Sequence, residues 1–317
     1  MATIAAKSHG YPFQESANPH WVKRPIKEQL AHIPGEEGLP FLGCTLELLK
    51  DPGAFGRRMF EQYGSVYRAF SFGGWSVNML GADATEMVLF NKDKIFSSEQ
   101  GWGPILNNLF PRGLMLMDFE RHRADRKALS PIPFTKMWKG VKAREYLLEY
   151  FTPQVKERRA RGGEDIFTQI CLATHENGEL LTEGEVVDHM NFLMMAAHDT
   201  ITSSATSLIY LLAKHPEWQD RLREECLSVA PAGTALTMEQ LGKLELTEMA
   251  FKEALRLIPP VPSMPRRAIK EFTFRNYTIP AGTTVGISPS FVHKMEKHWP
   301  NPDKFDPLRF TPENSVG

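Results

Sequence analysis

Cysteine is scarce in this sequence. Cys44, Cys171 and Cys226 are the three present, an odd number, widely spaced and without a C-x-x-C pair. That excludes a disulfide framework and a zinc site of the usual spacing, and each is expected to be a reduced thiol. Charge of one sign is lacking too. With 37 basic and 38 acidic residues the formal net charge is -1, which excludes the basic balance of a nucleic-acid binder. The cluster "KERRARGG", Lys156 to Gly163, is a candidate anion patch, with a solvated helix end as the plainer reading. No repeat or low-complexity tract appears. The N-terminus has no basic region leading into a long apolar one, so neither a signal peptide nor a membrane anchor is expected, and the chain is assigned to the cytoplasm.

What is present is an ordinary globular composition, 42% hydrophobic and 24% charged, in a chain long enough for a sizeable core. "IPGEEGLPFLG", Ile33 to Gly43, is dense in Pro and Gly and reads as an irregular entry. "DPGAFGRRMFEQYG" then has the spacing of a short amphipathic helix. In "SVYRAFSFGGWSVNMLG" two β-branched and aromatic runs flank Gly73-Gly74, which predicts a hairpin turning on those glycines; the helix "GADATEMVLF" follows. Gly101 to Met117 is apolar but broken by Gly and Pro, too irregular for a helix, and is expected to wall a pocket, with a plain core loop as the alternative.

Three helix starts are marked further on. Thr182 with Glu185 and Thr237 with Gln240 have capping-box spacing, and Pro216 follows His215 at the head of an amphipathic run. Between Val186 and Ala213 a helical pattern persists for about 40 Å at 1.5 Å per residue. Asp188, His189, Asn191, His198 and Asp199 interrupt it too often for a bilayer span, so a core helix is expected. "RLIPPVPSMPRRA" carries four prolines and cannot be helix, while "EFTFRNYTIPAGTTVGIS" alternates and turns like a small sheet. The fold class is mostly α, an α+β outline of long helices with small sheets, in a single domain spanning 1–317.

The central helix also holds the first candidate chemistry. "FLMMAAHDTIT", Phe192 to Thr202, runs as hydrocarbon and then sets Asp199 and Thr200 side by side. A carboxylate inside a core helix needs a partner, a water channel or a raised pKa, and the Thr200 hydroxyl can loosen the helix by bonding back to the fourth preceding carbonyl. A buried acid satisfied by polar neighbours is the plainer alternative. In "FKEALRL" Glu253 and Arg256 lie three apart, a spacing found on most helices, where an exposed pair contributes only ~0.2–0.5 kcal/mol. In "FERHRADRKALSP" His122 and Arg126 lie four apart on one helical face, as do Arg123 and Lys127. Such a face is either solvated or able to grip a carboxylate.

In this order, these pieces resemble the haem-thiolate monooxygenases, the cytochrome P-450 superfamily. Ile33 to Gly43 is similar to the family's I-P-G-P-x-G-x-P-x-x-G entry, and Tyr63 to Arg68 to Y-G-x-V-Y-R. "AAHDTI" is similar to A/G-G-x-D/E-T-T/S, and "EALR" to E-x-x-R. "RLIPPVPSMPRRA" and "HWPNPDKFDPLRF" match the two segments that follow. The resemblance implies a cytochrome P-450-like helical fold with small sheets, a haem cofactor, a lipophilic substrate, and electrons from a separate NAD(P)H-dependent system with a ferredoxin- or flavodoxin-type donor. It implies that Asp199 and Thr200 deliver protons to dioxygen, that Glu253, Arg256 and Arg309 form a structural ion-pair triad, and that His122, Arg126 and Arg266 hold the haem propionates.

The departures are specific. The motif's glycine is Ala197, and its last hydroxyl is replaced by Ile201, with Thr202 one position late. After "RKALSP" the sequence passes directly to "IPFTKMWKGVKAREYLLEYF", so a block of the family's helices is missing near Pro131-Ile132. The family's F-x-x-G-x-x-x-C-x-G ligand loop follows the segment matching "FDPLRF", and the sequence ends at Gly317 before it; no metal ligand is assigned, since none of the three cysteines has that glycine-rich context. The alternatives are a haem-free remnant with at most a binding role, or an unrelated helical binding protein in which Glu253, Arg256 and Arg309 would lie far apart.

Overall fold

A computed structural model describes residues 21–106, 110, 118, 136–175 and 177–314. In chain order the elements begin with β1 (Gly35–Glu36), α1 (Thr45–Lys50), α2 (Pro52–Tyr63), β2 (Val66–Ser71), β3 (Gly74–Met79) and α3 (Ala82–Phe90). They continue with β4 (Phe96–Ser97), α4 (Ser98–Leu106), α5 (Lys136–Arg161), α6 (Ile166–Leu172), α7 (Glu183–Lys214) and α8 (Pro216–Val229). The last are α9 (Met238–Leu241), α10 (Glu245–Leu257), β5 (Met264–Ala268), β6 (Phe272–Phe274), β7 (Tyr277–Ile279), β8 (Thr284–Ile287) and α11 (Pro289–Val292). The expected mostly helical chain with small sheets is what forms.

The chain divides into two compact units, one of residues 1–196 with 265–287, the other of 197–264 with 288–317. The first holds a six-stranded sheet in the order β1-β2-β3-β8-β5-β4 and a separate β6-β7 hairpin. Alternation in β2 and β3 buries Val66, Val77 and Met79 on one side, and β8 adds Val285 and Ile287. The β2-β3 register pairs Ser71 with Gly74, so the turn residues are Phe72 and Gly73, at φ 50° and 75°, and not Gly73-Gly74 as the sequence suggested. A two-residue hairpin turn of type I′ needs positive φ at both central positions, and the strand register moves that demand one residue upstream, onto a phenylalanine.

In the same unit α5, α6 and the start of α7 share a core of Phe151, Val155, Phe167, Cys171, Val186, Val187 and Met190. The basic end of α5 is not simply solvated. Arg158 places one nitrogen 2.7 Å from each oxygen of Asp165 and lies over the Phe167 ring, while Arg159 donates to the carbonyls of Cys171 and Leu181. Helix and loop carbonyls left over by α6 are thereby satisfied, a demand that a run of like charges does not reveal.

The second unit has a core of Leu211, Trp218, Leu222, Ala250, Ala254, Leu257 and Phe305. Thr237 accepts from the Gln240 N–H at 3.2 Å while the Gln240 side-chain oxygen accepts from the Thr237 N–H at 2.9 Å, closing the expected capping box of α9. Glu225 of α8 accepts from the N–H groups of Leu246 and Thr247 at 2.6 and 2.9 Å, capping α10 from a distance in sequence.

Candidate functional site

α7 begins on its own capping box. The Thr182 N–H donates to Glu185 at 2.9 Å, and the Thr182 hydroxyl accepts from the Glu185 N–H at 3.3 Å. One turn on, Asp188 is fully buried and accepts from Arg144 of α5 at 2.7 Å, an ion pair that fixes the helix's first half. Phe192 meets Phe110 edge to face, with ring centroids 5.9 Å apart. This contact is what the structure gives for the expected pocket wall at Gly101 to Met117; residues 107–109 and 111–117 lie outside the described residues. The first part of that stretch is a correction, since Gly101 to Leu106 are helical within α4 despite Pro104.

The middle of α7 is open. Ala197, His198, Asp199, Ile201, Thr202 and Ser203 are exposed, Thr200 is half-buried, and Met194 and Ile201 leave about half or more of their hydrocarbon uncovered. The expectation of an acid inside a core helix is therefore corrected: Asp199 bears no burial cost, because the apolar run before it stands at the edge of the packed core. Ser204, which is buried, donates its hydroxyl to the Thr200 carbonyl at 2.7 Å, a back-bond of the same kind one turn further along α7.

α7 carries four acids, and three have structural duties. Glu183 lies 3.8 Å from Lys156, Glu185 closes the capping box, and Asp188 holds Arg144. Asp199 has no hydrogen-bond or ion-pair partner among the described residues.

The second unit brings Glu253, Arg256 and Arg309 together. Glu253 and Arg256 are 0% and 2% exposed, so the pair is no solvated surface contact. Arg256 Nε and Nη2 donate to Glu253 Oε2 and Oε1 at 2.6 and 2.8 Å, a bidentate fork. Arg309 Nε lies 3.3 Å from Glu253 Oε1, and its other nitrogens donate to the carbonyls of Pro300 and Asn301. Glu253 Oε1 also accepts from the Asp306 N–H at 3.0 Å, and Arg256 donates to the His293 carbonyl at 2.8 Å beneath the Trp299 ring. The sequence did not single out His293 or Trp299. Burial pushes the His293 imidazole below its ordinary pKa. With all three triad members in contact, an unrelated fold that scatters them is excluded.

Arg266, on β5 of the first unit, is the described member of the cationic set. Its guanidinium is half-buried, donates to the neighbouring Pro265 carbonyl at 2.9 Å, and has no ion-pair partner among the described residues. Desolvation pushes its pKa down, opposed by the charge of Asp118. A partly desolvated guanidinium with spare donors fits the carboxylate of a cofactor. His122 and Arg126 lie outside the described residues. The thiols fit an iron less well. Cys44 is buried, with Sγ 3.5 Å from Glu36, and burial pushes its pKa up to about 12; Cys171 is buried and likewise raised. Cys226 is half-buried on α8. Among the described residues no group of three His, Cys, Asp or Glu is placed to hold a metal ion.

Comparison with known proteins agrees with this geometry. The family model described as Cytochrome P450 matches residues 129–316. A Mycobacterium tuberculosis protein named cytochrome P450 136 is 30% identical over 386 aligned residues, covering 95% of this chain and 77% of its own length. That alignment is longer than the whole 317-residue chain, so the relative has internal residues without counterpart here, in keeping with the block missing from the sequence. A pig protein named taurochenodeoxycholic 6 alpha-hydroxylase is 39% identical over 159 residues, 50% of this chain and 31% of its own. Among solved structures, retinoic acid-bound cyanobacterial CYP120A1 shares the fold, with a TM-score of 0.78 at 24% identity over 93% of this chain and 85% of that one.

Proposed function

The chain belongs to the cytochrome P450 family, and on that premise we propose that Asp199 and Thr200 handle protons in its reaction while Arg266, with His122 and Arg126, holds the carboxylates of the haem. The family's chemistry is haem-dependent monooxygenation, in which the haem, fed electrons by a redox partner, activates dioxygen so that one oxygen atom enters an organic substrate.

The observation that carries the assignment is the unequal employment of the acids on α7. Glu183, Glu185 and Asp188 are spent on the fold, and Asp199 is not. An exposed carboxylate exchanges protons with water at its Oδ atoms, and Thr200, one residue on, offers a hydroxyl that both accepts and donates. Acid and alcohol together form a relay from solvent to the helix surface without requiring either to be buried as an ion. Met194 and Ile201, seven residues apart and so on one face of α7, add exposed apolar surface to the same stretch of helix. Arg266 contributes a preorganised, partly dehydrated donor set that binds a carboxylate and orients the group bearing it.

A lipophilic substrate is the reading this exposed apolar surface favours, and the names of the pig hydroxylase and the retinoic acid-bound neighbour point the same way. The electron donor is proposed to be a separate ferredoxin- or flavodoxin-type protein fed by NAD(P)H, acting in the cytoplasm on one domain spanning 1–317. Among the described residues no helix is long and apolar enough to cross a membrane. Incubation of the haem-containing protein with such a donor, a panel of lipophilic substrates and isotopically labelled dioxygen tests the proposal. One labelled oxygen atom in the product is expected, and a product labelled from water instead contradicts it.

A further inference from the structure

Three polar contacts converge on Asp118, a residue with no motif assignment. Its Oδ1 accepts from the Ser98 N–H at 2.7 Å, its Oδ2 accepts from the Glu99 N–H at 3.2 Å, and the Ser97 hydroxyl donates to Oδ2. These are the orphan donors at the start of α4, so Asp118 caps that helix from about twenty residues downstream. α4 in turn is seated on β5 at Arg266. A Cβ added at Gly101 would stand 2.6 Å from the Arg266 Cα and 2.7 Å from the Pro265 carbonyl oxygen, so only glycine lets the helix approach so closely. β4 completes the frame, since Ser97 pairs with Arg267 and Phe96 with Ala268.

We infer that Asp118 is a positioning residue for Arg266: by capping α4 it clamps the helix onto β5 beneath the guanidinium, and because its oxygens are committed to the cap it balances the Arg266 charge without pairing with it. The inference rests on Arg266 as a donor to a haem carboxylate. The two charges are electrostatically coupled, yet no Arg266–Asp118 ion pair forms within 4.0 Å. A carboxylate free to rotate would occupy the guanidinium and compete with the cofactor. Held by Ser97, Ser98 and Glu99, it leaves those donors available.

The test is a double-mutant cycle in haem binding, followed by absorbance as haemin is titrated into the haem-free protein. Asp118→Asn keeps the size and one acceptor oxygen but presents N–H groups where a hydroxyl and an amide now donate. It is expected to weaken haem binding about fivefold, and Arg266→Gln about tenfold. In the Arg266→Gln background, Asp118→Asn is expected to change affinity less than about twofold, the signature of residues acting as a unit. The melting temperatures of the haem-free variants separate this from stability, because loss of the cap lowers them equally in both backgrounds. An equal loss of haem affinity in both backgrounds overturns the inference and leaves Asp118 as a helix cap alone. No effect of Arg266→Gln overturns the assignment of Arg266 itself, and the inference with it.

Discussion

Two charged regions of this protein stand in contrast. In one, Glu253 and Arg256 are buried with Arg309 half-buried beside them, and the carboxylate is gripped by a bidentate fork, a second guanidinium and a backbone N–H. In the other, Asp199 stands exposed in the middle of α7 with no such partner, on a helix whose other acids all have one. Charge that is paired and largely dry is scaffold, because any movement leaves an ion stranded in a low dielectric. Charge left open to solvent has nothing to hold in place and is available for chemistry. The same contrast recurs within a few residues on β5, where Arg267 is fully buried and Arg266 keeps spare donors.

The sharpest way to break the contrast is to strand a triad charge. Glu253→Gln or Arg256→Met is expected to destabilise the fold by about 3–5 kcal/mol, seen as loss of cooperative thermal unfolding or of soluble protein. If either variant melts like the parent, the triad is not the scaffold described. Asp199→Asn should do the opposite, lowering product formation about 100-fold while moving the melting temperature by less than about 2 °C. Arg266→Gln is expected to cost about tenfold in haem affinity, read from the Soret absorption, with unfolding of the haem-free protein nearly unchanged. His293 gives a milder, pH-dependent handle on the triad. Its folded-state pKa is depressed by burial, so the unfolded chain binds the extra proton, and stability should fall as pH drops below the ordinary imidazole range. A melting temperature flat from pH 7.5 to 5.5 would argue that this ring is not held neutral. Smallest of all, Lys252→Ala removes the exposed pair with Glu248, 2.7 Å apart on the same α10, and is expected to change stability by only about 0.3 kcal/mol. Set beside Glu253→Gln, it measures what burial alone adds to one kind of pair on one helix.

Much of this architecture is legible in the sequence because it is written locally. Thr182 with Glu185 and Thr237 with Gln240 close the capping boxes their spacing announces, and the prolines after Leu257 end α10. What escaped local reading depends on residues far away in sequence. α4 forms through glycines and a proline because Asp118 caps its start from a distance, and the hairpin turn sits one residue early because register overrides glycine placement. Spacing alone gives Glu253–Arg256 and Glu248–Lys252 the same status, yet one is dry and the other wet. Only the ordered family motifs distinguished them. The exposure of Asp199 was hidden for the converse reason, since hydrocarbon ahead of it reads as core wherever a long helix leaves the packed interior.

The central claim is that Asp199 serves the reaction and not the fold. It is tested most directly by the rate of oxygenated product formation by haem-loaded Asp199→Asn, measured beside its melting temperature. The account predicts a rate about 100-fold below the parent with melting unchanged to within about 2 °C. A parental rate, or a loss of rate matched by a collapse in melting temperature like that of Glu253→Gln, would contradict it.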